Sequence, residues 1–235
     1  MTDFALYLKG LFTDSGVPAA PEMLEQLDEY RRLLTEWNEK MNLTAITDPE
    51  GVAVKHFLDC ALALRQVPQA GKIIDVGTGA GFPGLVWAVL RPELQVTLLD
   101  SLNKRLLFLE EVCRRLGVRC TLVHARAEEG GRNAALRQSF DAAAARAVAP
   151  MNVLAEYCLP FVKQGGCFLA LKGPQLDAEL AQAQNALRRL GGRLEKVERF
   201  QLPGGDQRCL AVIRQTAPVP RQYPRPAAKL KKSPL

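Results

Sequence analysis

Three glycines follow an apolar segment and have the spacing of a ligand-binding loop. The segment Ile73–Gly81 reads Ile-Ile-Asp-Val-Gly-Thr-Gly-Ala-Gly, with glycine at every second position from residue 77. Glycine permits tight turns and lets a backbone approach a ligand without a side chain in the way. In doubly wound α/β sheets such loops lie at the carboxyl ends of parallel strands, where cofactors bind. We therefore predict a cofactor loop that includes Gly77, Gly79 and Gly81.

The spacing of this loop separates two classes of cofactor. The dinucleotide fingerprint G-x-G-x-x-G places its last glycine where this chain has Phe82. Asp75 stands two residues before Gly77, and its carboxylate suits a cationic ligand that carries an amino group and a sulfonium. The whole pattern resembles the S-adenosylmethionine loop of class I methyltransferases. A strand–helix unit with no ligand is the alternative interpretation.

A second acidic residue ends the next predicted strand, Leu94–Asp100. An acid at this place can accept hydrogen bonds from ribose hydroxyls. Because NAD and S-adenosylmethionine both carry a ribose, Asp100 is evidence for the fold class but does not distinguish between the two cofactors. Ala127 and Glu128 follow the third predicted strand, where class I enzymes hold the adenine.

The elements that position these residues predict an α/β fold. Amphipathic helices are expected over residues 3–12, 22–37 and 48–64, and from Gly71 strands alternate with helices, which indicates a parallel sheet. The last two predicted strands, joined by Pro203-Gly204-Gly205-Asp206, add an antiparallel edge hairpin. We predict a Rossmann-like class I methyltransferase fold with a mostly parallel seven-stranded sheet. Its parts are a helical N-terminal extension (1–68), a methyltransferase domain (69–215) and a basic, proline-rich tail without its own core (216–235).

Charge is distributed unevenly along the 235 residues, whose net charge is +6. Residues 1–50 carry four basic and ten acidic residues, whereas residues 214–235 carry six basic residues and no acid. A polyanionic partner is therefore expected to bind near the tail and near the strand ends that carry Arg146 and Lys172. The sequence has no apolar run long enough for a membrane span, no secretory signal and no clustered cysteines. We expect a cytoplasmic protein with reduced cysteines and no metal site.

Motifs that the sequence lacks exclude some classes of methyl-acceptor atom. After the fourth predicted strand the chain reads Ala145-Arg146-Ala147-Val148-Ala149-Pro150, without the Asn/Asp-Pro-Pro-aromatic motif of enzymes that methylate base amines. No cysteine nucleophile lies between Cys120 and Cys158. An acceptor with its own lone pair, such as guanine N7, fits this pattern. Arg146 can donate to a base edge or pair with the cofactor carboxylate, and a surface arginine is the third interpretation.

Further motifs along nearly the whole chain resemble those of one bacterial family. They are Trp37-Asn38, Asn42-Leu43-Thr44, His56 with Asp59, Asp75–Gly84, Leu98–Ser101 with Lys104-Arg105, Arg146-Ala147, Leu171-Lys172-Gly173, and Tyr223-Pro224-Arg225 before Pro234-Leu235. On these motifs the chain resembles the bacterial small-subunit ribosomal RNA guanine-N7 methyltransferases, also called glucose-inhibited division protein B. Departures from the family pattern are Cys60, Lys55, Ala80 and Ala145, of which the last lies nearest the predicted site.

The resemblance implies transfer of a methyl group from S-adenosylmethionine to N7 of guanine 527, in the decoding-region loop of 16S RNA. It also implies that Gly77, Phe82, Ala127 with Glu128, and Arg146 contact S-adenosylmethionine. We add Asp75, Gly79, Gly81, Asp100 and Ser101 as candidate cofactor contacts. The partner would be 16S RNA or an assembling small subunit. A methyltransferase for a small molecule or protein and a non-enzymatic RNA-binding module are the alternatives.

Two further residues are candidate substrate contacts. His56 and Asp59 lie three apart on one predicted helix, where they either flank the cofactor mouth or form a buried pair that joins the helices to the sheet. Lys172 ends a predicted strand, which favours a phosphate or base contact over a plain surface lysine.

Overall fold

The computed structural model describes residues 1–235, except for the side chain of Lys231, and contains one seven-stranded sheet. The strands are β1 (Gly71–Val76), β2 (Leu94–Asp100), β3 (Cys120–His124), β4 (Phe140–Arg146), β5 (Val162–Lys172), β6 (Gly192–Gln201) and β7 (Gln207–Gln215). Their order across the sheet is β3-β2-β1-β4-β5-β7-β6. Strands β1 to β5 are parallel, and β7 runs antiparallel to both β5 and β6. The predicted fold class, with its antiparallel edge hairpin, is confirmed.

Helices flank this sheet on both faces. The α-helices are α1 (Asp3–Asp14), α2 (Pro21–Met41), α3 (Pro49–Gly51), α4 (Asp59–Ala63), α5 (Gly84–Leu90), α6 (Asn103–Leu116), α7 (Ala127–Gly130), α8 (Met151–Cys158), α9 (Leu176–Arg189) and α10 (Ala227–Lys232). A π-helical segment, Val52–Leu58, joins α3 to α4. No helix in the described part of the chain is long and apolar enough to cross a membrane.

The strand order reverses between β1 and β4, and this reversal positions the functional site. The chain fills one half of the sheet with β1, β2 and β3, and then returns to the other side of β1 with β4, so that Asp75 lies beside Ala144. The loops that leave β1 and β4 therefore diverge to opposite faces and open a crevice at the carboxyl ends of the strands.

Alternating side chains divide the core into two layers. Ile73, Leu98 and Ala144 face one layer, whereas Ile74 and Leu99 face the other, as the period of two in a strand requires. The first layer also contains Leu24, Leu27, Tyr30 and Leu34 of α2, among other helical residues of the extension. Residues 1–68 thus share a core with the sheet, and their division from the methyltransferase domain as a separate part stays a prediction.

The basic tail has no core of its own and packs against the rest of the molecule. Glu156 of α8 is fully buried and accepts hydrogen bonds from the backbone N–H and the guanidinium of Arg225, with Nη2–Oε2 at 2.7 Å. Arg137 donates to the carbonyl oxygens of Val219 and Tyr223, at 2.8 Å each, and both of these tail residues are buried. The tail is therefore bound along its length by partners far away in the sequence.

Several helix bounds differ from the predicted ones. The helix expected from Gly81 begins only at Gly84, because Gly81 and Phe82 donate their N–H groups to the carbonyl oxygen of Thr78 and close the preceding turn. The helix expected to reach Val162 ends at Cys158 and continues as a 3-10 turn that contains Pro160. The short helices α7 and α10 were not predicted.

Candidate active site

A cavity of about 860 Å³ opens at the carboxyl ends of β1, β2 and β4, where the strand order reverses. A volume of this size can enclose a small-molecule cofactor and part of an acceptor. Ten of the twelve predicted site residues line it: His56, Gly77, Gly79, Phe82, Asp100, Ser101, Ala127, Glu128, Arg146 and Lys172. The two that do not are Asp75 and Gly81.

Backbone groups build one wall of the cavity, the glycine-loop wall (Gly77–Phe82 with Asp100). The N–H groups of Gly77 and Thr78 donate to the carbonyl oxygen of Leu99, at 2.8 and 3.1 Å, and this fixes the start of the loop on β2. The loop bends because Gly77, Gly79 and Gly81 all have positive φ angles. The resulting surface presents backbone to the cavity, as predicted for a loop that approaches a cofactor.

Gly81 supports this wall from behind. A Cβ atom on Gly81 would lie 2.5 Å from the Tyr30 hydroxyl oxygen and 2.8 Å from a Leu109 methyl carbon. The Tyr30 hydroxyl donates to the carbonyl oxygen of Ala80. Gly81 is therefore required by the packing of α2 and α6 under the loop, and its role as a cofactor contact stays a prediction.

Asp75 also lies beneath the loop, and its direct contact with a cofactor stays a prediction. It is fully buried, and its Oδ2 accepts hydrogen bonds from the Thr78 hydroxyl, at 2.7 Å, and from the Gly84 N–H, at 2.8 Å. The carboxylate turns inward because Gly84 has no side chain: a Cβ there would lie 2.7 Å from the Asp75 Cβ. Asp75 thus ties the loop to the first turn of α5.

The other oxygen of Asp75 has no hydrogen-bond partner among the described atoms. Burial raises the pKa of Asp75 to about 6, against the opposing effect of the Thr78 and Gly84 hydrogen bonds. An unpartnered carboxylate oxygen under a glycine loop favours a cationic group above it. This observation fits a cofactor with an ammonium or sulfonium group better than one with a pyrophosphate.

Asp100 joins the glycine loop to β2 and remains available to the cavity. Its Oδ2 accepts from the Gly79 N–H and its Oδ1 from the Leu102 N–H, both at 2.9 Å, and Arg105 lies 3.3 Å from Oδ2. A carboxylate offers about four acceptor positions, so one stays free for a hydroxyl. The predicted ribose role is compatible with this arrangement.

Charged side chains build the opposite wall, the arginine wall (His56, Asp59, Arg146 and Arg208). Arg146, at the end of β4, donates from Nη1 to the carbonyl oxygen of Lys55, at 3.0 Å, and to Asp59 Oδ2, at 3.2 Å. Its Nη2 donates to His56 Nδ1 at 3.1 Å. The guanidinium also lies over the Phe82 ring, 4.9 Å from the centroid. Arg146 is therefore a buried link between the sheet and the helical extension, and the surface interpretation is wrong.

Two N–H groups of Arg146 remain unused. A guanidinium has five N–H groups, and three of those of Arg146 donate to Lys55, Asp59 and His56. The remaining Nη2–H and the Nε–H have no partner among the described residues, and Arg146 lines the cavity. These donors are available to a ligand.

His56 contacts neighbouring groups through both ring nitrogens. Its Nδ1 lies 3.1 Å from Arg146 Nη2, which can only donate, and 3.2 Å from the Lys55 carbonyl oxygen, which can only accept. Its Nε2 lies 2.9 Å from the Thr44 hydroxyl oxygen. Burial and the charge of Arg146 lower the pKa of His56 to about 4. His56 is therefore neutral, with both ring nitrogens engaged, and stacks on Phe82 at a centroid distance of 4.5 Å.

Asp59 and Arg208 complete the arginine wall. Asp59 is buried, and burial raises its pKa against the effect of Arg146 and of Arg208, whose Nε lies 3.6 Å from Oδ1. Sequence reasoning missed Arg208, because nothing distinguishes it from the other charged residues of the edge hairpin. It likewise missed Thr78 and Tyr30, which support the glycine loop.

Lys172 is engaged with neighbouring groups of the protein. Its Nζ donates to the carbonyl oxygen of Ala149 and to Glu179 Oε2, both at 2.6 Å, and its side chain is 9% exposed. Glu179 also accepts from the Met151 N–H at 2.8 Å. The lysine thus fixes the loop after β4 to α9, and the predicted phosphate or base contact of Lys172 stays a prediction.

The far end of the cavity lies beside the start of α7, where Ala127 and Glu128 are half-buried next to Tyr157. Ala227 of the tail helix lines this cavity as well. The tail therefore approaches the cavity that contains Arg146.

Comparison with known proteins agrees with this geometry. The family model for rRNA small subunit methyltransferase G matches residues 23–210. Curated relatives named Ribosomal RNA small subunit methyltransferase G include that of Symbiobacterium thermophilum, 50% identical over 94% of this chain and 93% of the relative. That of Alkaliphilus metalliredigens is 47% identical over 98% of both chains.

Solved structures resemble the fold at low sequence identity. M. jannaschii TYW2, solved in complex with AdoMet, covers 68% of this chain and 76% of its own, with a TM-score of 0.54 and 13% identity. TrmN from Thermus thermophilus covers 69% of this chain and 53% of its own, with a TM-score of 0.51 and 20% identity. The family match and the long curated relatives together show that this chain belongs to the rRNA small subunit methyltransferase G family.

Proposed function

We propose that this protein transfers a methyl group from S-adenosylmethionine to N7 of guanine 527 in 16S RNA. Its family makes it an S-adenosylmethionine-dependent methyltransferase of small-subunit rRNA. The proposal adds the acceptor atom, the acceptor nucleotide and the residues that serve each partner.

The glycine-loop wall is suited to the cofactor. When bound, S-adenosylmethionine supplies an electrophilic methyl group on a sulfonium. We assign its ribose hydroxyls to the free acceptor position of Asp100, its adenine to the end that Ala127 and Glu128 line, and its charged amino-acid part to the backbone at Gly77 and Gly79. Asp75 acts beneath the loop, where its unpartnered oxygen adds negative potential.

One observation supports guanine N7 as the acceptor atom. The titratable side chains of the arginine wall are already engaged: His56 through both ring nitrogens, and Asp59 with Arg146 and Arg208. His56 is therefore not available to remove a proton from the acceptor, and Asp59 serves as the counterion of the two guanidiniums. A ring nitrogen with its own lone pair needs no general base, and alignment alone can then supply most of the rate.

The unused donors of Arg146 are suited to the same base. A guanine presents O6 and N7 side by side on one edge. An Arg146 N–H that donates to O6 orients the base and leaves the N7 lone pair free. We place Arg146 on the acceptor side because its hydrogen-bond partners His56, Asp59 and Lys55 belong to the helical extension, and only the Phe82 ring links it to the glycine-loop wall.

The proposal is tested by methyl transfer onto small-subunit RNA from a strain that lacks the enzyme. Treatment with borohydride and aniline cleaves RNA at N7-methylguanine. The expected result is one cleavage in the decoding-region loop that depends on both protein and cofactor. Methyl incorporation without cleavage would show another acceptor atom, and cleavage elsewhere would show another nucleotide.

A further inference from the structure

The turn of the edge hairpin holds a carboxylate between two cations at the rim of the cavity. Asp206 Oδ2 lies 3.1 Å from Lys55 Nζ and 3.5 Å from Arg208 Nη2. Lys55 and Arg208 both line the cavity, and Asp206 does not. One oxygen is thus shared by an ammonium from the π-helical segment and a guanidinium from β7. Proteins use the same combination of charge and donors to hold a phosphate oxygen.

Asp206 differs from the other carboxylates that pair with cations of this cavity. Asp100 and Glu179 also accept backbone N–H groups, which makes them part of the scaffold. Asp59 is buried. The Asp206 side chain is 39% exposed, and its described partners are the two cations alone. Exposed ion pairs of this kind are weak, so an external anion can replace this carboxylate.

The backbone around Asp206 permits such a replacement. The turn contains Gly204 and Gly205, with φ angles of +92° and +95°, and a Cβ on Gly204 would meet nothing within 4 Å. The backbone of the turn itself stays closed, since the Leu202 N–H donates to the Asp206 carbonyl oxygen at 2.9 Å. Rotation of the exposed Asp206 side chain is therefore enough to release the two cations, while Arg208 keeps its contact with Asp59.

We propose that Asp206 occupies the position of an RNA backbone phosphate in the free protein, and that RNA displaces it from Lys55 and Arg208. This inference rests on the proposed RNA substrate. The phosphodiester takes the two cations that Asp206 releases. Because Arg208 also pairs with Asp59, which accepts from Arg146, a phosphate bound at the rim is connected to the acceptor end of the cavity.

Asp206→Asn tests the proposal with Asp177→Asn as its matched control. Asp177 pairs with Arg199 of the same hairpin at 2.6 Å and does not line the cavity, and both variants raise the net charge by one. The probe is a fluorescein-labelled 16S RNA fragment that contains the decoding-region loop. Its affinity is measured by anisotropy with saturating S-adenosylhomocysteine over a series of potassium chloride concentrations.

Asp206→Asn is expected to bind this RNA about fivefold more tightly than the wild type at low salt, the scale of an exposed ion pair. The slope of log affinity against log salt should steepen, because the phosphate now displaces chloride ions from Lys55 and Arg208 and not a tethered carboxylate. Asp177→Asn should stay within about twofold of the wild type and keep its slope. Equal affinities for the two variants would overturn the proposal.

A double-mutant cycle with Lys55→Gln separates phosphate mimicry from a general charge effect. In the Lys55→Gln background, Asp206→Asn should lose most of its gain, since one of the two cations is gone. An undiminished gain would overturn the proposal. Asp206→Ser is a second variant that should bind the RNA more tightly to the same extent. Thermal unfolding checks that all of the proteins fold. These are binding measurements, so they stand apart from the cleavage assay: a single cleavage in the decoding loop with no effect of Asp206 would refute this inference alone.

Discussion

The two walls of the cavity are built from different parts of the chain. The glycine-loop wall comes almost entirely from consecutive residues, Gly77–Phe82, and uses backbone N–H groups fixed on β2. The arginine wall joins side chains from the helical extension, β4 and β7, with 90 positions between Arg146 and His56. The comparison indicates that the cofactor end is specified locally, whereas the acceptor end exists only after the whole chain has folded.

Loss of Arg146 should break the arginine wall and have the largest effect. Arg146→Ala removes three hydrogen bonds and leaves Asp59 buried without its nearest cation. We expect a loss of about 3–5 kcal/mol in the free energy of unfolding, the usual result of removing one partner of a buried pair. The rate of methyl transfer should fall by about 10²–10³, as for the loss of a preorganised donor. Urea unfolding and single-turnover kinetics measure the two effects.

A paired variant separates these effects. Arg146→Met combined with Asp59→Asn removes both charges, so part of the lost stability should return because no buried carboxylate is left alone. The rate should stay low. Recovery of the rate together with stability would contradict an acceptor role for Arg146.

The glycine-loop wall should lose cofactor affinity when a single methyl group is added at Gly79. Gly79 has φ +61° and lines the cavity, and a Cβ there would have as its nearest described atom the Gly77 carbonyl oxygen, at 3.9 Å. Gly79→Ala should therefore fold, with a strain of about 1–2 kcal/mol, and lower cofactor affinity at least about tenfold. Gly117→Ala is the matched control, because Gly117 has φ +65°, open space around it and no place in this cavity. Equal losses of cofactor affinity, measured by calorimetry, would contradict this assignment.

His56 of the arginine wall and Asp75 beneath the glycine loop should contribute to stability with opposite pH dependences. The pKa of His56 is lowered to about 4, so its contribution to stability is complete above about pH 6.5 and is lost as pH falls toward 4. The pKa of Asp75 is raised to about 6, so its contribution is complete below about pH 4 and is lost as pH rises through 6. In the wild type, the pH dependences of stability that His56 and Asp75 contribute therefore oppose one another.

Single variants should reveal each residue's contribution to the pH dependence of the free energy of unfolding, measured with urea between pH 4 and 6.5. His56→Gln should lose stability with rising pH, and Asp75→Asn should gain it, each by up to about 3 kcal/mol. His124→Gln serves as the control for histidine loss, because His124 is exposed, and should follow the wild type. A His56→Gln profile with the wild-type slope would show that the arginine wall does not hold a neutral histidine.

The smallest effect is expected outside both walls, in the tail. Lys229 and Lys232 are exposed on α10, whose Ala227 lines the cavity. Replacing both lysines with glutamine should weaken RNA binding about twofold for each and flatten the salt slope by up to about 2. Lys9→Gln with Lys40→Gln removes two exposed cations of the acidic helical region and should leave the slope unchanged. This pair of variants is preferable to truncation after Gln215, which would remove the buried Tyr223 and leave the buried Glu156 without Arg225.

The same contrast explains what the sequence could predict. The strands, most helices and the meeting of the glycine loop with the other strand ends at one cavity could be predicted, because glycine spacing and apolar periodicity are local signals. The inward turn of Asp75 could not, since it depends on the missing side chain of Gly84. The pairs Arg146–Asp59, Lys172–Glu179 and Arg225–Glu156 also carry no local signal, because each joins charged residues that sequence alone would place on the surface.

Arg146→Lys tests most directly the claim that the glycine-loop wall holds the cofactor and the arginine wall faces the acceptor. Lysine keeps the charge beside Asp59 and loses the fork that reaches His56, Asp59 and the acceptor together. Calorimetric titration with S-adenosylhomocysteine should give an affinity within about threefold of the wild type, while methyl transfer to small-subunit RNA falls more than about tenfold. A cofactor affinity that falls as far as the rate would place Arg146 on the cofactor and contradict the division of the two walls.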